Sequence, residues 1–409
     1  MPASVAIRRV ATIAGAVAAL LLVVGDGLAR IAAPVAVRQA GGLGKHDAAV
    51  LAASASGRLE LDDLGASEAA LEDPARRRAA GDEATRALRR DLTQVEALAV
   101  LGRIAAAEGR APAAHRFMAA SDALSRRNLT TRLWFIDEAV GRGDVAGALR
   151  HFDLALRSST RASDILFPVL GEAINEDPAL VQPIANLLRS NPAWSGSFIY
   201  YAANAGVAPA RLGTIYAQLS PKPDHAGQDL GKLLVDTMIA RRQFDAARAL
   251  DLRLAPRPGS PGLLNDAGFA AARGYAPFDW SFSLDSGLDI ARDRNSAGTG
   301  LAVEGSIFDG VTAASQLVAL RPGSYVFGSM VTDVQDGSDV RARWTLECVD
   351  VPLPVARLVV AADGKPARAR WTVPASCPAQ WLRLAFEGGD GMTRKRVFVR
   401  PILLQRLPG

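Results

Sequence analysis

Residue types that carry catalysis are scarce in this sequence. It has two cysteines and four histidines in 409 residues, and no histidine follows Pro277. The region after Pro277 therefore cannot build a Ser-His-Asp site or a histidine-ligated metal site of its own. Gly298-Thr-Gly300 does not precede a predicted helix, so it is not a phosphate-binding loop. We predict no catalytic residue, no cofactor and no metal, and hence a protein that is not an enzyme.

The sequence also lacks a concentration of charge of one sign. The net charge is only +5, and the part after Pro277 holds 15 Lys+Arg against 14 Asp+Glu. Nucleic-acid binding requires a concentrated basic face. We therefore predict no nucleic-acid partner.

One long apolar run is present, at the N-terminus. Arg8 and Arg9 precede an acid-free apolar stretch from Val10 to Gly25. A cationic start followed by such a run is typical of a signal or anchor, with the N-terminus in the cytoplasm. We predict that residues 1–36 form a single inner-membrane span and that the bulk of the chain is periplasmic. One alternative is secretion after signal cleavage, because the apolar run has 16 residues and a membrane span needs roughly 20. The other alternative is a buried helix of a cytoplasmic protein.

A helical repeat follows. Small residues recur every 34 residues at Ala80, Ala114 and Ala148. The same register is kept by Ala84, Met118 and Phe152, by Ala87, Ser121 and Ala155, and by Gly109 and Gly143. This pattern resembles the tetratricopeptide repeat, a stack of helix pairs. The resemblance implies an α-solenoid over residues 44–254, with a surface that docks a protein partner; Ala80, Ala114, Ala148, Met118, Phe152 and Ala155 are the predicted repeat core.

Local signals place helix ends within and after the solenoid. Thr93 and Glu96 predict a capping box in front of a helix that ends at Ala107, and Pro112 begins the next helix. Three prolines and two glycines between Pro256 and Gly262 end the solenoid. We predict a linker over residues 255–276 that includes a short helix from Leu263 to Gly274.

After the linker the periodicity changes to the alternation of β-strands. About nine short apolar segments are separated by turn signals, and Arg341 to Cys348 alternates polar and apolar residues throughout. Phe278-Asp-Trp280, Leu320-Arg-Pro-Gly-Ser-Tyr325 and a closing C-terminal strand resemble the jelly-roll modules found as carbohydrate-binding domains. We therefore predict a jelly-roll-like antiparallel β-sandwich over residues 277–409, in a multidomain α + β protein.

The sandwich holds the candidate site residues. Cys348 and Cys377 are predicted to form a disulfide, because both lie in one module of an exported chain; two buried thiols are the alternative. Four tryptophans could stack on sugar rings or pack in the core, since each alternates with polar neighbours on a strand. They are Trp280, Trp344, Trp371 and Trp381.

Weaker patterns are interpreted as surface features. His115 and His151 lie on neighbouring repeats and are predicted to be exposed, although they could line one face. Two sets of acidic residues are predicted to be solvated loops, with a Ca²⁺ site as the alternative. These sets are Asp285, Asp289 and Asp293 with Asn295, and Asp333, Asp336 and Asp339; Arg394-Lys-Arg396 is predicted to be a charged turn.

Together these features indicate a bacterial envelope protein. The main functional hypothesis is a non-catalytic, membrane-anchored periplasmic scaffold in envelope polysaccharide assembly or export, a context that rests on the resemblance of its domain combination. It would use a protein partner on the solenoid and a glycan on the sandwich. The alternative is a glycan-binding module on a helical spacer, and a glycan-active hydrolase is a third possibility.

Overall fold

A computed structural model describes most of the chain. The described residues are 48–61, 68–256, 263–272, 274–283, 287–295, 298–307, 310–332, 340–350, 354–388 and 394–408. The predicted anchor, the Pro/Gly segment 257–262, Asp285 and the group Asp333, Asp336 and Asp339 lie outside them. Within the described part of the chain, every helix is too short or too polar to cross a membrane.

The chain divides into two compact units, Met1–Leu230 and Gly231–Gly409. We call them the helical unit and the sandwich unit. The helices are α1 Ala48–Arg58, α2 Glu68–Glu72, α3 Pro74–Arg90, α4 Val95–Ala107, α5 Ala111–Leu124, α6 Leu129–Gly141, α7 Val145–Ser158, α8 Ala162–Glu176, α9 Val181–Leu188, α10 Ser195–Ala205, α11 Pro209–Ala217, α12 Leu230–Ala240 and α13 Phe244–Leu254.

The last helix pair belongs to the sandwich unit by its contacts, whereas the sequence analysis placed it at the end of the solenoid. On α13, the Asp251 carboxylate accepts a hydrogen bond from the backbone N–H of Tyr275 at 2.8 Å. The Arg248 guanidinium lies over the Phe278 ring, 5.9 Å from its centroid. Arg242, between α12 and α13, forms an ion pair with Asp350 after a strand of the sandwich.

Two turns of the helical unit are built in the same way. Gly109 follows α4 with φ +70°, and Gly143 follows α6 with φ +71°. At each turn, the next residue donates its N–H to a carbonyl five residues earlier, from Arg110 to Ala105 at 2.8 Å and from Asp144 to Ala139 at 2.9 Å. This left-handed conformation favours glycine. The equivalent residues of the two turns are 34 apart, the period found in the sequence.

Small residues line the contacts between paired helices. Ala80, Ala114, Met118 and Ala155 are fully buried, and Ala148 and Phe152 are 5% exposed.

At Gly196, in α10, a Cβ would lie 1.7 Å from the Asp224 carbonyl oxygen. Only glycine fits where the backbone approaches this closely.

Two local predictions are wrong. The N-terminal cap of α4 does not use Thr93, because Thr93 donates both its N–H and its hydroxyl to the Asp91 carboxylate, at 2.9 and 2.6 Å. Residues 263–272 form bends and a turn instead of a helix. Their polar groups are used by the sandwich: the Asp266 carboxylate accepts from the Arg292 guanidinium, and the Asp266 carbonyl accepts from the Trp280 indole.

The sandwich unit contains two antiparallel layers. The strands are β1 Ser281–Phe282, β2 Leu288–Asn295, β3 Gly298–Ser306, β4 Thr312–Val318, β5 Gly323–Ser329, β6 Val331–Thr332, β7 Arg341–Cys348, β8 Pro354–Ala361, β9 Ala367–Val373, β10 Gln380–Glu387, β11 Arg394–Val399 and β12 Leu403–Arg406. One layer is a five-stranded sheet of order β1-β4-β10-β7-β8. The other joins a sheet of order β2-β3-β11-β6 to one of order β12-β5-β9, because β5 continues into β6 and β11 into β12.

Alternation places one apolar row of each strand between the layers. Ala342, Trp344 and Leu346 of β7 and Leu382, Leu384 and Phe386 of β10 are buried in one core with residues of the second layer. Their neighbours in sequence point to the opposite face of the sheet. The predicted antiparallel sandwich is confirmed.

The acidic stretch around Asp289 is a strand, which corrects the predicted loop. Residues 288–295 form β2, with Leu288 in the core and Ile290 packed against it. Asp289 and Asp293 point outward, where they pair with Arg394 and Arg396 of β11 at 2.6 and 3.2 Å. The predicted charged turn at 394–396 is therefore the start of a strand.

Candidate functional site

The four candidate tryptophans divide into three core residues and one at the surface. Trp280, Trp344 and Trp371 are 5%, 0% and 2% exposed. Phe327 stacks on Trp371 with ring centroids 4.0 Å apart and meets Trp344 at 5.4 Å; Trp344 in turn contacts Trp280 at 6.0 Å. This aromatic column fills the sandwich, so the sugar-stacking expectation is corrected for these three residues: they offer no free face.

Trp381 is placed differently because it belongs to the outward row of β10. It is half-buried, between the buried residues Gln380 and Leu382. It lies opposite Glu347 of β7 and Leu317 of β4. Of the four candidates, Trp381 is therefore the one that is not fully buried.

Polar side chains surround Trp381 on the outside of the five-stranded sheet. We call this surface the outer face. It is formed by Arg341, Arg343, Thr345 and Glu347 of β7, Arg357, Val359 and Ala361 of β8, and Trp381, Arg383, Ala385 and Glu387 of β10. Cross-strand neighbours include Arg383 with Thr345, Ala385 with Arg343 and Arg343 with Val359.

Ion pairs hold these side chains in place. Arg383 Nε lies 3.0 Å from a Glu347 carboxylate oxygen, and the Thr345 hydroxyl donates to the other oxygen at 3.0 Å. Arg343 lies 2.7 Å from Glu387 Oε1, and Arg357 pairs with the same oxygen. Because these side chains are already held in one geometry, they lose less conformational entropy when a ligand binds.

Arg383 also orders Trp381. Its guanidinium carbon lies 5.2 Å from the Trp381 ring centroid, within the range of a cation–π contact. One face of the Trp381 ring is therefore covered by a charged group that is itself anchored by Glu347, which leaves the opposite face for a ligand. An aromatic ring with fixed polar neighbours is the composition of a site that binds amphipathic ring compounds.

The predicted disulfide is confirmed and lies next to Trp381. Cys348, at the end of β7, is bonded to Cys377, with a Cα–Cα distance of 5.4 Å. The buried Gln380 donates to the Cys377 carbonyl at 2.7 Å and accepts from the Leu320 N–H at 2.9 Å. These bonds fix the start of β10, one residue before Trp381.

The Ca²⁺ alternative finds no support at Asp289 and Asp293. Their carboxylates, with that of Glu304, are paired with Arg394 and Arg396. Across the described ranges, no three His, Cys, Asp or Glu side chains converge to hold a metal ion.

The two repeat histidines meet at one aromatic residue. Phe135 of α6 stacks on His151 with ring centroids 5.0 Å apart and contacts His115 at 6.0 Å. His115 is exposed and His151 is half-buried. Burial, with the nearby Arg132 and Arg150 charges, lowers the pKa of His151 below its usual value.

A partly open apolar pocket lies in the helical unit between the pairs α6–α7 and α8–α9. It has a cavity volume of about 80 Å³, and Val145, Phe152, Leu170, Ala173 and Ile184 are among its lining residues. Val145 is 37% exposed at this site. Neither this pocket nor the arginines of the outer face were predicted from the sequence. The alternation of Arg341 and Arg343 within a predicted strand was the signal available for the latter.

Comparisons with known proteins give structural neighbours alone. No family model and no curated protein matches the chain. A family 61 carbohydrate-binding module solved with β-1,4-galactotriose is 18% identical, covers 36% of this chain and 100% of its own, and has a TM-score of 0.26. A family 16 module is 12% identical with coverages of 36% and 100% and a TM-score of 0.27. A module from Cellvibrio mixtus lichenase 5A, solved with cellotriose, is 12% identical with coverages of 31% and 92% and a TM-score of 0.22. These solved structures are similar to the C-terminal β-sandwich, and TM-scores this low carry no argument about what this chain binds.

Proposed function

We propose that the sandwich unit is a non-catalytic glycan-binding module whose binding surface is the outer face. The observation that carries the proposal is Trp381, a half-buried indole on an outward strand row beside Arg383 and Glu347. The flat ring matches the apolar face of a pyranose. The guanidinium and carboxylate groups supply the donors and acceptors that sugar hydroxyls need.

The fixed geometry of the face supports binding to a preformed surface. Arg383, Glu347 and Thr345 form one connected group, and Arg343, Glu387 and Arg357 form a second. Sugars arriving at this surface would meet side chains already ordered, so less entropy is lost on binding.

We further propose that the chain is exported and anchored, with the tetratricopeptide-like helical unit as a spacer. Two features support this part. The N-terminus has a basic start and an apolar run, and the Cys348–Cys377 disulfide is of the kind that persists in oxidising compartments.

Isothermal titration of the full-length chain against a panel of neutral and acidic oligosaccharides tests the glycan proposal. We expect at least one glycan to bind. Trp381→Ala should weaken it about tenfold or more, because a stacked ring contributes on the order of 1 kcal/mol beyond its buried area.

Arg370→Ala is the matched control, since Arg370 is exposed on β9 of the other layer; it should leave the affinity unchanged. Circular dichroism checks that both variants fold. No heat with any glycan, or unchanged affinity in Trp381→Ala, would contradict the proposal.

A second proposal, from the scaffold hypothesis, is that the helical unit docks a protein partner of the envelope polysaccharide machinery. The apolar pocket beside the exposed Val145 favours it, because apolar pockets accept anchoring side chains of a partner. A photocrosslinking amino acid at position 145 should capture one polypeptide in the native cell. The same label at Leu124, 47% exposed at the end of α5, is the control.

Filling the pocket with Ala173→Leu should abolish the crosslink from position 145. Equal crosslinking from both positions, or a crosslink that survives Ala173→Leu, would refute the docking proposal.

A further inference from the structure

We propose that the glycan bound by the outer face is anionic, with carboxylate or sulfate groups that pair with the arginines of β7 and β8. This inference rests on the proposed function, and it names the substrate class of the same site.

The outer face carries more positive than negative side chains. Four arginines, Arg341, Arg343, Arg357 and Arg383, share it with two carboxylates, Glu347 and Glu387. Positive charge is therefore in excess on this surface, as it is on the outward row of β9, where Arg368 and Arg370 are exposed; the outer face differs from that row in combining its arginines with the half-buried Trp381.

The carboxylates of the outer face occupy only part of the hydrogen-bonding capacity of its arginines. Arg343 and Arg357 share a single oxygen of Glu387. Each guanidinium has five N–H donors, so most donors of these two side chains are not engaged by that oxygen. Arg357 also keeps 52% of its side chain exposed.

Arg341 differs from the other three arginines of the outer face. It is exposed at the start of β7, and it has no ion pair with another described residue. It lies opposite Glu387 of β10 and Ala361 of β8 in the strand register. Glu387 is occupied by Arg343 and Arg357, so Arg341 is a cation that the face itself does not neutralise.

The outer face is long enough for several sugar residues. Residues on one face of a strand repeat every ~6.6–6.8 Å, so three such steps separate the row of Trp381 from the row of Arg341, about 20 Å. Ala385 and Ala361 are the small residues beside the arginines along this path. This length, and the small side chains of Ala385 and Ala361, leave room for several sugar residues. One sugar ring would stack on Trp381, and the anionic groups would pair with Arg341 and Arg343.

Arginine suits this role because its planar fork donates two parallel hydrogen bonds to a carboxylate or sulfate. The outward surface of β2, β3 and β11 is the contrast within the same unit. There, three carboxylates are paired with two arginines, Arg394 and Arg396, and no excess of positive charge results.

The test uses the full-length chain and two matched pairs of polymers. One pair is polygalacturonate and its carboxyl-reduced form, and the other is dextran sulfate and dextran. We expect one anionic polymer to bind at least tenfold more tightly than its neutral partner, and the pair that shows the difference identifies carboxylate or sulfate.

The double variant Arg341→Gln with Arg343→Gln should lose at least tenfold in affinity for that polymer and should reduce the salt dependence of binding. Arg394→Gln with Arg396→Gln removes the same charge from the other layer and should change the affinity by less than twofold. Trp381→Ala is measured in parallel.

The inference is overturned if charged and neutral polymers bind equally in both pairs, or if the two double variants lose affinity alike. If neutral polymers bind in a Trp381-dependent manner, the glycan proposal stands while the anionic class falls. If no polymer of either kind binds, the anionic class falls, and the oligosaccharide panel decides separately whether glycan binding stands.

Discussion

The helical unit and the sandwich unit achieve order by different means. In the helical unit, turns and buried alanines repeat at a fixed distance along the chain, as at Gly109 and Gly143. In the sandwich unit, contacts join distant residues: Arg394 pairs with Asp289, and Gln380 binds Leu320. Sequence periodicity therefore predicts the helical unit well, whereas the outer face of the sandwich unit depends on which strands pair.

The largest expected effect is removal of the disulfide. Replacing Cys348 and Cys377 together by alanine should cost about 3–4 kcal/mol of unfolding free energy, the loop-entropy value for a separation of 29 residues. Hydrogen exchange read by mass spectrometry should show lower protection in β7 and β10, with the helical unit unchanged. An equal loss of hydrogen-exchange protection in both units would contradict the division of the chain into two units.

A second large effect is expected in the helical unit alone. Gly196→Ala places a methyl group against the Asp224 carbonyl oxygen and should cost about 3 kcal/mol. Gly57→Ala in α1 is the control, because a Cβ there has open space; it should stabilise by roughly 0.5–1 kcal/mol. Urea unfolding measures both, and similar midpoints for the two variants would refute the close approach.

A smaller effect tests whether the two turns are equivalent. Gly109→Ala and Gly143→Ala each force an alanine into positive φ, which should cost about 1 kcal/mol at each site. Equal losses in urea unfolding are expected because the turns share their hydrogen bonds. If one of the two substitutions left the free energy of unfolding almost unchanged, the two turns would not contribute equally to stability.

The smallest effect is a pH dependence confined to the helical unit. The lowered pKa of His151 means that the unfolded chain binds the proton more readily than the folded chain. The contribution of His151 to stability should therefore fall as the pH decreases through its ordinary value of about 6.5. Urea midpoints between pH 7.5 and 5.5 measure the effect.

The control is His151→Phe, which retains a ring for Phe135 and should remove this part of the pH dependence. An unchanged slope in that variant would contradict the role of His151. The sandwich unit contains no histidine, so its protection should not change in this range.

Much of the fold followed from local pattern. β7 was predicted with both ends correct, because Arg341 to Cys348 alternates without interruption. β2 was missed because Asp289 and Asp293 were interpreted as loop residues. Their carboxylates are tolerated on a strand because Arg394 and Arg396 reach them from β11, which lies on the far side of β3 and follows more than a hundred residues later.

The site was harder to predict than the fold. Alternation places a tryptophan on a strand, but it does not say which row faces the core. Trp344 is flanked by Arg343 and Thr345, whereas Trp381 is flanked by Gln380 and Leu382. The pairing of β7 with β10 assigns Trp344 to the inward row and Trp381 to the outward row. The excess of arginine on the outer face likewise appears only after β7, β8 and β10 are brought together.

The most direct test of the account is hydroxyl-radical footprinting of Trp381 with and without a saturating glycan ligand. We predict that the ligand suppresses oxidation of Trp381 several-fold and leaves Tyr200, a half-buried aromatic of the helical unit, unchanged. Oxidation of Trp381 that is the same with and without bound glycan would contradict the central claim.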